Sequence, residues 1–196
     1  VTPQIRAGIE AALGDGGRIV VITGAGVSAE SGLRTYRGSG GIWTEEGVSA
    51  MTMATAAYFD TNPQSSWEWY LVRREAARRA APNAAHEATT RLAADLDDRF
   101  TLITQNIDRL HHRSGTPLDR QTEIHGHVDG MRCAGWCEGI AEIPNRFDGW
   151  SEGGELSEDD KVALTCPRCG DRMRPHVLWF DEFYDEPNYG ILSGQR

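Results

Sequence analysis

No run of apolar residues in this 196-residue chain is long enough to cross a bilayer, and no signal-peptide pattern is visible. Basic charge is also scarce. Twenty Lys and Arg stand against 29 Asp and Glu, a formal net charge of −9, and phosphate neutralisation by a general nucleic-acid binder needs a basic face. One local exception is the group Arg73, Arg74, Arg78 and Arg79, which reads equally as a pocket for an acidic ligand or as a solvated helix face. There is no internal repeat. Cysteine is limited to four residues in two close pairs. Without a secretion signal they point to metal thiolates in a reducing compartment rather than to disulfides, and a cytoplasmic location is expected. What remains, 39% hydrophobic and 25% charged, fits one globular domain with a sizeable core and room for a small insertion.

Two short β-branched runs, 18–23 and 100–104, read as strands buried in a parallel sheet. Apolar spacing predicts an opening helix over 3–13, with Ile5, Ile9, Ala12 and Leu13 on one face, and further helices over 51–59, 65–80 and 83–97. A short helical piece is expected at 110–113 and an extended one at 123–125. Residues 34–47, rich in Gly, Ser, Thr and Arg, predict a mobile loop. The composition changes from Met131 to about Arg174, where all the cysteines and an acidic stretch at 151–160 fall, so this region reads as an inserted module.

Chemistry concentrates at the ends of the strands. Gly24-Ala25-Gly26 follows the first strand directly, and such a turn lets backbone and helix N-terminal amides approach a pyrophosphate. The full G-x-G-x-x-G fingerprint is absent, so taken alone a ligand-free turn capped by Ser28 is as good a reading. Gln105, Asn106 and Asp108 lie just beyond the second strand, as ligand contacts or as a helix-capping cluster. His125 has the intrinsic chemistry of a base near neutral pH, although a lone histidine is more often structural. Cys133-x3-Cys137 and Cys166-x2-Cys169 can supply four thiolates to a structural tetrahedral Zn²⁺ with no open position.

Residues 24–37, Thr104-Gln105-Asn106-Ile107-Asp108, Glu123-Ile124-His125-Gly126 and residues 174–182 together resemble the sirtuin family of NAD-dependent lysine deacylases, in the same order and over most of the chain. The resemblance implies an α/β fold: a Rossmann-like parallel sheet that binds NAD, with a helical insertion at about 48–80 and a zinc-ribbon insertion at about 131–174. It implies His125 as the catalytic base for a ribose hydroxyl. Gly24, Ala25, Gly26, Ser28, Glu30, Arg37, Gln105, Asn106 and Asp108 then contact the cofactor, with Asn106 and Asp108 at the nicotinamide. Tyr36 stands where the family usually has Phe. His86, His111, His112, His127 and His176 match no such role and read as core or surface residues. The first cysteine pair departs from the family's usual two-residue spacing. The family's later strands are missing, so the sheet is expected to be incomplete at its C-terminal side. Val177 and Phe180 offer one edge to an extended substrate peptide.

Tyr70 and Arg73, three residues apart, share a helical face where a phenol and a guanidinium can bind a carboxylate. For any Tyr-x-x-Arg, a packed Tyr and an exposed Arg is the commoner outcome. The same pair in the same place marks the sirtuin branch that removes succinyl, malonyl and glutaryl groups, with Ala56, Tyr58 and Phe59 as weaker candidates for the rest of that pocket. The partners implied are acylated lysines of proteins, with no nucleic acid and no membrane. A non-catalytic zinc module that binds acylated peptide, or an NAD hydrolase, are the alternatives.

Overall fold

The computed structural model describes residues 2–14, 16–35, 41, 50–135, 137–184 and 186–189. Of the expected loop at 34–47, only Arg34, Thr35 and Gly41 are among them. Tyr36 and Arg37 lie outside the described residues.

Three parallel strands, β1 (Ile19–Thr23), β2 (Phe100–Thr104) and β3 (Gln121–Glu123), form one sheet in that order. Val21 pairs with Leu102 and Thr104 with Glu123, so all three strands end at one level. The β-branched content of β1 and β2 suits a pleated, half-buried surface. One face packs on the helix Ala84–Leu96 through Leu92, Ala93, Leu96, Phe100 and Leu102. This helix starts with a capping box: Asn83 Oδ1 accepts from the amides of Ala85 and His86, while His86 Nδ1 accepts from the Asn83 amide.

A second, antiparallel sheet runs β5 (Ile140–Glu142), β4 (Gly126–Cys133) and β6 (Met173–Val177), with an irregularity between Gly126 and Met131. It shares one core with the helices Ala50–Met53, Ala56–Thr61 and Pro63–Arg79. Phe59, Trp67, Tyr70, Leu71, Met131, Phe147, Met173 and Trp179 are all buried there. The cysteine pairs and the long helix are therefore parts of one packing unit.

Several expectations change in detail. The opening helix forms over Pro3–Gly14 but buries no residue, and Ile5 and Ile9 stay exposed. The single helix expected at 51–59 is broken at Thr55, whose hydroxyl accepts from the Tyr58 amide and starts a new helix at Ala56. Ser28 does not cap. The turn after β1 runs into a 3-10 helix, Ala25–Ser31, with Gly24 at its N-cap, and Ser28 sits inside it, buried. Of the four clustered arginines, Arg74 pairs with Asp129 and Asp148, Arg78 with Asp148 and Arg79 with Glu75, so only Arg73 is turned to the cleft described below.

Candidate active site

The C-terminal ends of β1, β2 and β3 open into a cleft of about 1350 Å³, where open α/β sheets bind ligands. Its walls include Ala25, Gly26 and Ser28 from the turn, Gln105, Asn106 and Asp108 beyond β2, His125 beyond β3, Tyr70 and Arg73 from the long helix, and Val177 and Phe180 beyond β6. Residues as far apart in sequence as Ala25 and Phe180 thus share one cavity. Glu30 is exposed and lies outside these walls, as do Ala56, Tyr58 and Phe59; Met53 and Ala54 stand on that side of the cleft instead.

His125 is held from both sides. Its Nδ1 lies 2.8 Å from the Gln105 carbonyl oxygen, which can only accept, so Nδ1 carries the proton and Nε2 the lone pair. Burial pushes the imidazole pKa below its usual value, and the hydrogen bond to the carbonyl partly opposes this. The ring is therefore neutral near pH 7, with a basic nitrogen on its Nε2 side. The backbone is fixed too, because the Leu178 amide donates to the His125 carbonyl at 3.0 Å. Gly126 follows with φ +73°, and a Cβ there would fall 2.1 Å from the His176 carbonyl oxygen. Only glycine fits, which accounts for His125-Gly126 as a unit.

Beneath the cleft lies a buried polar floor. Ser28 Oγ donates to Asp108 Oδ2 at 2.7 Å and accepts from Asn106 Nδ2 at 3.0 Å. His86 Nε2 stands 3.4 Å from the same oxygen; because His86 Nδ1 accepts from the Asn83 amide, Nε2 carries the hydrogen and points it at Ser28. Two donors thus converge on Ser28, and its own proton is committed to the Asp108 carboxylate. Asp108 Oδ1 meanwhile accepts from the Leu110 amide at 2.9 Å, one residue ahead of the N-cap Arg109, so the same side chain satisfies the first helical amide and faces the cleft. His111 bridges Thr23 at 3.1 Å and Thr89 at 3.0 Å, and its ring centroid is 4.6 Å from that of His86. Burial, reinforced by His86, pushes its pKa down to about 4. His86 and His111 read from the sequence as core or surface residues; both are core, His86 supporting the floor through Ser28 and His111 joining Thr23 to Thr89. The half-buried Glu123, two residues before His125, is pushed up to about 7 by desolvation, against the pull of Arg109 at 3.5 Å.

On the opposite wall Tyr70 is buried, and its hydroxyl oxygen accepts from Trp179 Nε1 at 2.9 Å. The Arg73 guanidinium lies 3.1 Å from the centre of the Trp69 ring and donates to the Trp69 carbonyl at 3.2 Å. Glu68 also lines this part, but its Oε1 is taken by Gln64 Nε2 and the Leu156 amide. Val177 is buried at the wall, whereas Phe180 is 55% exposed at the rim.

The four cysteines, Cys133, Cys137, Cys166 and Cys169, are free thiols whose sulfurs lie within 4.8 Å of one another. Tetrahedral Zn–S bonds of about 2.3 Å place sulfurs roughly 3.8 Å apart, so this set fits a structural zinc. The Gly135 amide points at Cys133 Sγ at 3.2 Å, a hydrogen bond that stabilises a thiolate. The longer first loop therefore keeps a typical amide–sulfur contact.

The family model described as "Sir2 family" matches residues 24–190. A protein named NAD-dependent protein deacylase from Methylococcus capsulatus is 42% identical over 175 residues, covering 88% of this chain and 64% of that protein. The mitochondrial NAD-dependent protein deacylase sirtuin-5 of Canis lupus familiaris is 40% identical over 181 residues, covering 85% and 57%. A solved Sir2 homologue in complex with NAD superposes with a TM-score of 0.66 at 34% identity, over 85% of this chain and 59% of that one. The chain thus spans about three fifths of the length of these relatives.

Proposed function

The chain belongs to the Sir2 family, and from that premise we propose that it carries the site of an NAD-dependent protein-lysine deacylase that prefers succinyl and malonyl groups to acetyl. One observation supports this most directly. The lone pair of His125 Nε2 opens into the same cleft as the Ser28–Asn106–Asp108 floor and the Tyr70–Arg73 wall.

Bound NAD supplies an electrophilic ribose carbon with nicotinamide as its leaving group. Ala25 and Gly26 bring backbone close to the phosphates, and the family pattern assigns Arg37 to the enclosure of the cofactor. Gln105 is assigned to the ribose. Asn106 and Asp108, held rigid by Ser28, present an amide and a carboxylate to the nicotinamide carboxamide. Such fixed polar groups lose little freedom on binding. His125 takes a ribose hydroxyl proton at Nε2 while the Gln105 carbonyl keeps its tautomer and steadies the charge that forms. Overall, the acyl carbonyl oxygen replaces nicotinamide at the ribose carbon, one water is consumed, and the products are free lysine, nicotinamide and O-acyl-ADP-ribose.

The acid preference rests on Tyr70 and Arg73. A guanidinium and a phenol in an apolar cleft favour a carboxylate far more than a methyl group. Val177 and Phe180 at the rim are assigned to the peptide that carries the lysine. Zinc holds the module that carries this wall and takes no part in the chemistry. The thiolates suit a reducing compartment, and the cytoplasm is the proposed location. Among the described residues no helix is long and apolar enough to cross a membrane.

The test is deacylation of matched succinyl-lysine and acetyl-lysine peptides, with and without NAD, read by mass spectrometry. NAD-dependent loss of succinyl well above acetyl, abolished in His125→Ala, is expected. Acetyl loss alone would remove the acidic preference. Consumption of NAD without peptide would favour a hydrolase, and peptide binding without turnover a binding module.

A further inference from the structure

The Nε2 lone pair of His125 already has a partner. The Tyr184 hydroxyl lies 2.9 Å from it, and the two rings stack with centroids 5.9 Å apart and planes 20° from parallel. Since Nδ1–H is committed to the Gln105 carbonyl, Nε2 can only accept, so the phenol donates. An imidazole nitrogen has a single in-plane lone pair. A second hydroxyl cannot bond it while Tyr184 remains.

The segment that brings Tyr184 there is pinned at Glu182 and again at Tyr189, which is buried and stacked on His176, with an exposed pair of side chains between them. Glu182 accepts from the Trp179 amide at 2.9 Å and pairs with Arg174. Past that pin Phe183 is 92% exposed and Tyr184 51% exposed, although Tyr184 lines the cleft. A side chain half in water loses little when it swings out, because water replaces its hydrogen bond.

We propose that the Tyr184 hydroxyl is an internal stand-in for the substrate ribose hydroxyl, occupying the proton-accepting atom of His125 until the nucleotide displaces it. This rests on the nucleotide-binding reading of the cleft. Tyr184 then touches the reacting atom of the base and sets a threshold for nucleotide entry: the ribose hydroxyl has to replace a bond that already exists. Only ligands carrying that ribose meet the threshold, because only they reach Nε2.

The test is calorimetric titration of the full chain and of Tyr184→Phe with ADP-ribose, and with AMP as the control that lacks the distal ribose. Phenylalanine keeps the ring and removes only the competing hydroxyl. The expected result is ADP-ribose bound about 2- to 10-fold tighter by the variant, the fold-change of one net hydrogen bond, with AMP unchanged. Tyr184→Leu, which also removes the stacking, should tighten ADP-ribose in the same direction. Equal or weaker ADP-ribose binding by Tyr184→Phe overturns the stand-in while leaving the nucleotide site intact. An equal gain for AMP also overturns it, since the effect would then be general loosening of the cleft. Failure of both proteins to bind ADP-ribose removes the nucleotide reading and the inference together.

Discussion

Replacing Arg73 by Met keeps a long, flexible side chain over the Trp69 ring but removes every donor. A hydrogen bond to a charged group contributes about 1.5–3 kcal/mol. Arg73 does not meet an incoming carboxylate from solution, however: its guanidinium already lies on Trp69 and donates to the Trp69 carbonyl at 3.2 Å. If that bond is surrendered on binding, about 0.5–1.5 kcal/mol must be subtracted. The ordering cost, by contrast, is already met by the packing on Trp69. Taking matching ends of the two ranges, the net is about 1–1.5 kcal/mol, or roughly 5- to 13-fold in rate. The measured quantity is kcat/KM for succinyl-lysine divided by that for acetyl-lysine, in the wild type and in Arg73→Met. The ratio should fall by that factor through succinyl alone, with acetyl equal or slightly improved. Equal losses on both peptides would assign Arg73 to packing, and no loss on either would mean the acyl group never reaches it.

Tyr70→Phe removes the acceptor of the buried Trp179 Nε1–H and should destabilise the chain by about 1–3 kcal/mol, seen as a lower thermal midpoint besides any change in acyl selectivity. Acid should act through His111. Its folded pKa of about 4 lies below the unfolded value of 6.5, so the unfolded chain binds the extra proton between them. The neutral histidine's contribution is complete above about pH 6.5 and falls by roughly 2–3 kcal/mol as pH drops to about 4.5. Urea titrations across that window should show the slope, and His111→Gln should remove about half of it, because burial also pushes His127 down to about 4. Stripping zinc with a thiol reagent and chelator should lower the thermal midpoint sharply, because Cys133 and Cys166 share a core with Tyr70 and Trp179. An unchanged midpoint in a sample proved metal-free would refute a structural zinc.

What the sequence made legible is what local pattern encodes. β1 and β2 announce themselves as β-branched runs, and the cysteine pairs by their spacing. His125-Gly126 reads as a unit, because the glycine is demanded by a carbonyl 2.1 Å from where a Cβ would be. Contacts made across long separations were not legible. His86 reaches Ser28 over 58 residues and His111 reaches Thr23 over 88. One signal was available for His86: it lies three residues after Asn83, at the position where a side chain returns to an N-cap, so its tautomer could be anticipated even though its target could not. Of the two readings the sequence offers for Ser28, cap and cofactor contact, the cap fails for the complementary reason. Its neighbours along the chain favour a helix start, while the acceptor it uses, Asp108, is 80 residues away.

The two walls of the cleft are built on different physics, and this separates what mutation can change in each. The floor is a connected polar network: His86 and Asn106 donate to Ser28, and Ser28 donates to Asp108. Removing one member leaves a buried partner unsatisfied, and a half-satisfied network costs more than its bonds contributed. The acyl wall is aromatic: Tyr70 packs on Trp69 and Trp179, the Arg73 guanidinium lies on Trp69, and such surfaces tolerate exchange of similar volumes. Substitutions at Ser28, Asn106, His86 or Asp108 should therefore lower stability and nucleotide binding together. Substitutions at Arg73 should redistribute acyl preference and leave nucleotide affinity alone. A variant at Ser28 that keeps full stability yet loses ADP-ribose affinity would break this link, because it would mean that the floor binds without being part of the core.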